Sequence, residues 1–165
     1  AIAAQYLLDK KKASQILILD LDVHQGNGTA AIFESNPKIF TLSVHGAKNY
    51  PFRKEKSDLD IALEDDTGDK KYLGKIKKII PALIDNIKPD FIFYLSGVDV
   101  LGTDKLGRLN LTVEGCKERD AFVLKQCNER NIPLQCSMGG GYSKDIKVII
   151  EAHANTYRAA KTIYT

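Results

Sequence analysis

The sequence predicts an α/β fold in which a parallel sheet carries helices on both of its faces. Three observations lead there. Short, continuous apolar runs recur along the chain, as buried parallel strands require. Longer stretches with apolar residues at three- and four-residue steps separate them, as crossover helices require. The loops after three of the strands hold acids, a histidine and glycines, and ligands in such sheets bind beyond the carboxyl ends of the strands.

Taken in order, residues 1–12 read as a helix, with Ile2, Tyr6 and Leu7 at helical spacing. No Ser, Thr, Asp or Asn start signal precedes it, so a segment upstream is expected. Residues 16–20 form a buried strand, and Gly26 to Gly28 turn the chain into a short helix over 29–34. A second strand covers 39–44, an irregular loop with Pro51 covers 50–57, and a half-exposed strand with alternating acids covers 58–63. The longest helix spans 69–88, with Leu73, Ile76, Ile80, Leu83, Ile84 and Ile87 on one stripe. Pro81 is expected to kink or split it. A third buried strand at 91–95, a helix at 113–131, a fourth buried strand at 133–138 and a helix at 145–164 complete the pattern. No repeat or linker interrupts it, so residues 1–165 are expected to form a single domain.

The formal net charge of +3 is scattered, and the lysines at 10–12 and 75–78 fall within helices. They read as solvated helix faces, with no nucleic-acid footprint. Three cysteines, an odd number without a Cys-x-x-Cys pair, point to reduced thiols and an intracellular home, cytoplasmic or nuclear. No apolar run reaches the roughly 20 residues of a membrane span, and no secretion signal is read at the start.

The first loop reads Asp20-Leu21-Asp22-Val23-His24-Gln25-Gly26-Asn27-Gly28. If the strand persists, alternation places Asp20, Asp22 and His24 on one face, where two carboxylates and an imidazole call for a cation. A turn or helix-capping cluster accounts for the same residues equally well. The second loop places Asp99 between apolar neighbours, where a buried carboxylate needs a partner. Asp104, further along, suits a loop acid bonded to backbone amides. The third loop reads Gly139-Gly140-Gly141-Tyr142. Its glycines permit a close backbone approach, and Tyr142 either projects into the site or packs in an ordinary turn. Together Asp22, His24 and Asp99 offer three mixed oxygen and nitrogen ligands, the pattern of a catalytic zinc with an open position. With a phenol opposite, the chemistry is amide hydrolysis by metal-activated water.

These three motifs, in this order, resemble the metal-binding and tyrosine loops of histone deacetylases over essentially the whole chain. Gln25-Gly-Asn-Gly28 and Asn49-Tyr50-Pro51 look most like class IV deacetylases and their bacterial relatives. The resemblance implies the arginase–deacetylase fold, truncated at its N-terminus, and removal of acyl groups from acylated lysine or a related amide. It implies one zinc ion on Asp22, His24 and Asp99, with Tyr142 aiding the oxyanion. It also implies a structural potassium near Asp20 and the Ser43 region, an acyl tunnel lined by Tyr50 with Gly140 and Gly141, and Asn27 as the residue that orients a catalytic histidine. The family's general base belongs to a pair of adjacent histidines upstream. Here only His24, His45 and His153 occur, none adjacent. His45 follows the second strand, from where it could reach the site, but reads rather as a loop residue, and His153 reads as a surface or packing residue. The chain alone is therefore expected to be an incomplete, poorly active or inactive portion that needs the N-terminal part of the same domain.

Two other readings fit parts of the pattern. An arginase-type ureohydrolase needs two metals, and so acids near positions held here by Gly26, Gly97 and Leu101. A non-catalytic module that binds an acyl-lysine, or a structural remnant, needs only the pocket.

Overall fold

The computed structural model describes residues 1–165. Its elements are α1 (Ile2–Asp9), β1 (Ile16–Asp20), α2 (Asn27–Phe33), β2 (Ile39–Gly46), β3 (Leu59–Leu63), α3 (Asp69–Ile87), β4 (Phe91–Gly97), α4 (Val113–Glu129), β5 (Leu134–Gly139) and α5 (Ile146–Tyr164). The five strands form one sheet in the order β3-β2-β1-β4-β5, and every pairing is parallel. The predicted fold class is therefore the observed one.

Alternation along β1 divides the core between the two faces of the sheet. Leu17 and Leu19 pack with Tyr72, Ile76 and Ile80 of α3 and Val123 of α4. Ile16 and Ile18 point the other way, toward Ala4 of α1 and Phe33 of α2. The helices α3, α4 and α5 pack side by side on the first face. Two of them start on side-chain caps: Thr112 accepts from Gly115 N–H and Asp145 from Lys147 N–H, at 2.9 Å each.

The strand order positions the site. From β1 the chain winds outward to β2 and β3, then returns through α3 to β4 on the opposite side of β1. The crevice beyond the ends of β1 and β4 is thus a topological switch point, where sheets of this kind bind ligands.

Several expectations change. The helix α3 runs unbroken across Pro81, so the proline does not split it. The fourth strand, expected to be buried, is half exposed, because β5 forms the edge of the sheet and pairs only with β4. His45, expected in a loop, lies within β2 and is 2% exposed. The helix α1 is shorter than residues 1–12, and Lys10 ends it. The basic stretches lie on exposed helix and loop surface. Cys116 and Cys127 are buried, Cys136 is half-buried, and all three are free thiols. No helix is long and apolar enough to cross a membrane.

Candidate metal centre

β1 stops at Asp20, so strand alternation does not carry the first motif. Two successive acid turns shape it. Asp22 N–H donates to Asp20 Oδ1 at 3.1 Å, and His24 N–H donates to Asp22 Oδ1 at 2.9 Å. The turns separate Asp20 from the other two residues. His24 Nδ1 lies 3.1 Å from both Asp22 Oδ1 and Asp99 Oδ2. The donor atoms of Asp22, His24 and Asp99 all fall within 4.8 Å of one another, an arrangement able to hold a metal ion. Asp99 is 1% exposed. Its second oxygen accepts from Val23 N–H at 3.0 Å, which joins the β4 loop to the β1 loop.

The electrostatics follow from this crowding. Hydrogen bonds to Asp22 and Asp99 push the His24 pKa up to about 10, so an imidazolium can sit between the two carboxylates. Burial opposes ionisation of Asp22, but the bonds from the His24 ring and backbone outweigh it and hold the carboxyl below its ordinary value. Burial raises Asp99. Asp20 is buried opposite Ser43 in the β1–β2 register, and burial pushes its pKa up to about 8.

Glycines admit this packing. A Cβ at Gly140, whose φ is +64°, would overlap the Asp99 carboxyl. One at Gly97 would come within 2.5 Å of Asp22 Oδ2, and one at Gly26 would collide with Asp20. Gly140→Ala is therefore expected to displace Asp99. It should weaken divalent-metal binding at least about 10-fold, the lower end of what disturbing a ligand's supports costs. Calorimetric titration with Zn²⁺ measures this, and wild-type affinity in a folded variant would show that the contact is not needed.

A cavity of about 580 Å³ opens beside His24 and is lined by Tyr50, Phe52, Leu106, Lys48, Asn49 and Arg108. The predicted tunnel residue Tyr50 is therefore next to the triad. Tyr142 does not line this cavity and is 57% exposed. Its backbone N–H donates to Asp104 Oδ2 at 2.7 Å, while Asp104 Oδ1 accepts from Leu106 and Gly107 N–H. The tyrosine loop is thus clipped to the Asp99 loop, and Asp104 is the backbone-bonded acid that its sequence context suggests. Asn27 opens α2 and Ser43 Oγ lies 3.0 Å from His45 Nδ1. His45 itself does not reach the cavity, and burial pushes its pKa down.

Sequence reasoning missed several supports. The Gln25 amide both donates to Glu55 O and accepts from Glu55 N–H, holding the loop that carries Tyr50 and Phe52. Asn49 spans to the loop between β4 and α4 through Leu106 O and Arg108 N–H. Arg119 and Asp120 are fully buried in α4. Their signal was available: Cys116, Asp120, Val123 and Cys127 share one helical stripe, and a charge on an otherwise apolar stripe marks a buried polar site.

The histone deacetylase domain model matches residues 1–157. An uncharacterized protein of Picosynechococcus is 41% identical over 164 residues, covering 99% of this chain and 55% of that protein. Histone deacetylase 2 of Arabidopsis thaliana is 30% identical over 151 residues, covering 89% of this chain and 39% of that protein. The solved acetylpolyamine aminohydrolase of Burkholderia pseudomallei superposes with a TM-score of 0.81 at 18% identity, covering 98% of this chain and 48% of that one. The chain thus spans about half, or less, of the length of these relatives.

Proposed function

The chain belongs to the histone deacetylase domain family, and on that footing we propose that it carries the metal-binding half of a zinc-dependent amidohydrolase acting on acylated lysine or a related amide. The observation that carries this reading is the convergence of Asp22, His24 and Asp99 at the switch point of the sheet. Two carboxylates and one imidazole within 4.8 Å fit a single zinc ion with an open coordination position. When bound, such an ion supplies a Lewis acid that polarises an amide carbonyl and acidifies a water.

The chain's own residues do the rest. Asp99 is fixed by Val23 N–H and Asp22 by His24 N–H, so both present their oxygens without rearrangement. Tyr50 and Phe52 flank the cavity and receive the acyl-bearing chain. Tyr142 follows the glycine loop beside Asp99, and its phenol, swung from its exposed position toward the cavity, would donate a hydrogen bond to the amide oxygen as negative charge develops there. Gly140 lets that loop approach the Asp99 carboxyl, and Gly141 lets it pack against Val98 and Ile149. Asp20, buried beside the Ser43 region, would help hold a structural potassium, whose charge would favour the ionised carboxylate. Asn27 opens α2 as a candidate to orient a catalytic histidine. His45, tucked into β2 against Ser43, and His153, on α5, are not assigned the role of base. The free thiols suit an intracellular setting, cytoplasmic or nuclear.

A two-metal ureohydrolase is disfavoured by a specific contact. The position two residues after His24 is Gly26, where any side chain would run into Asp20. The test uses the full-length protein with an acetyl-lysine peptide and, separately, arginine, together with metal analysis. Acetate release with one zinc ion per chain is expected. Urea release with two metals would overturn the reading, and peptide binding without acetate release would replace it with a non-catalytic module.

A further inference from the structure

Arg119 is among the largest wholly buried side chains, and the proposed chemistry does not use it. Its Nη1 donates to Leu21 O at 3.1 Å and to Gly97 O at 2.7 Å. Leu21 immediately precedes Asp22, and Gly97 lies two residues before Asp99. One nitrogen thus bridges the strand ends from which the two carboxylate ligands leave. The guanidinium is itself held in place. Nε donates to Asp120 Oδ1 at 2.8 Å, and Asp120 also accepts from the Tyr94 hydroxyl at 2.5 Å and the Thr156 hydroxyl at 2.6 Å. These anchors come from α4, β4 and α5.

Stability alone does not explain this arrangement. A buried ion pair is often no more stabilising than apolar side chains of the same volume. Here Arg119 Nη2 is also buried without a hydrogen-bond partner, which adds a desolvation cost. What the pair supplies that an apolar substitute cannot is a fixed spacing between two carbonyls. Because the donor atoms of the triad lie within 4.8 Å of one another, a small change in that spacing alters the coordination geometry.

We propose that Arg119, locked by Asp120, is a positioning residue that sets the separation of the Asp22 and Asp99 loops and thereby the affinity and geometry of the metal site. The proposal rests on the reading of Asp22, His24 and Asp99 as metal ligands.

The experiment measures Co²⁺ affinity and the Co²⁺ visible absorption spectrum in the full-length protein, well below each variant's unfolding temperature. Wild type is compared with Arg119→Met, Arg119→Lys and Ile80→Val, the last a core change in α3 remote from the strand ends. Arg119→Met is expected to bind Co²⁺ about 10–100-fold more weakly, as loss of a support behind the ligands does, and with an altered spectrum. Arg119→Lys, which keeps a cation and one donor group, should recover part of the affinity. Ile80→Val should lower the unfolding temperature and leave affinity and spectrum unchanged. If Arg119→Met does not fold, Arg119→Lys is judged against wild type by the same two readouts. Wild-type affinity and spectrum in the folded Arg119 variant overturn the proposal, and so does equal weakening in Ile80→Val. A wild-type protein that takes up no Co²⁺ refutes instead the metal-site reading on which the proposal stands.

Discussion

Asp99→Ala is expected to leave the protein without a stoichiometrically bound divalent ion and without measurable deacylation. The loss in affinity should exceed about 100-fold, the upper end of what removing a support behind a ligand costs. Asp99 does two things at once: Oδ2 faces His24 Nδ1, and Oδ1 accepts from Val23 N–H. Alanine removes both and leaves a buried N–H unpaired, at a cost of about 1–3 kcal/mol. Asp99→Asn separates the two effects. Its amide oxygen can still accept from Val23, so the fold is retained while the ligand charge is lost. Elemental analysis and zinc titration of both variants, with circular dichroism as the check on folding, measure the outcome. One tightly held zinc ion per chain in folded Asp99→Asn or Asp99→Ala would exclude Asp99 from the ligand set.

The second large effect is expected at Tyr142. In the full-length protein, Tyr142→Phe should lower turnover by about 10²–10³-fold, the cost of losing an oxyanion donor. Zinc affinity should stay at the wild-type value, because Tyr142 is not one of the three ligands in this reading. The unfolding temperature should also hold, because the side chain is 57% exposed and its loop is anchored through the backbone N–H to Asp104, which phenylalanine retains. The readouts are the rate of acetate release at saturating peptide, the zinc affinity and a thermal melt. Undiminished turnover would remove Tyr142 from the chemistry. A collapsed melt would make it a packing residue, as its position after a glycine turn also allowed.

The sequence by itself determined the α/β architecture, the strands at the centre of the sheet and the three loops proposed to form the site. It could do so because these are local signals. A strand buried on both faces must be apolar throughout, as residues 16–19 are, and a helix on the sheet must repeat its apolar residues as α3 does from Leu73 to Ile87. Asp22, His24 and Asp99 were legible as candidates because they follow two buried strands of a parallel sheet, at the edge where such sheets bind ligands.

Only the tertiary structure decided which of these groups meet. Asp20 and Asp22 look equivalent by alternation, yet the turn after β1 directs one to the triad and the other toward Gly26. The exposure of β5 depends on its place at the sheet edge, which composition does not encode. His45 was misread because the strand β2 extends past the apolar run to Gly46, carried by its pairing with β3 through Ala62 and Leu63. The role of Arg119 lies furthest from the sequence. Its partners Leu21 and Gly97 are 98 and 22 residues away along the chain. Periodicity reports that a position faces the core. What a buried charge holds together there is set by the segments that fold against it.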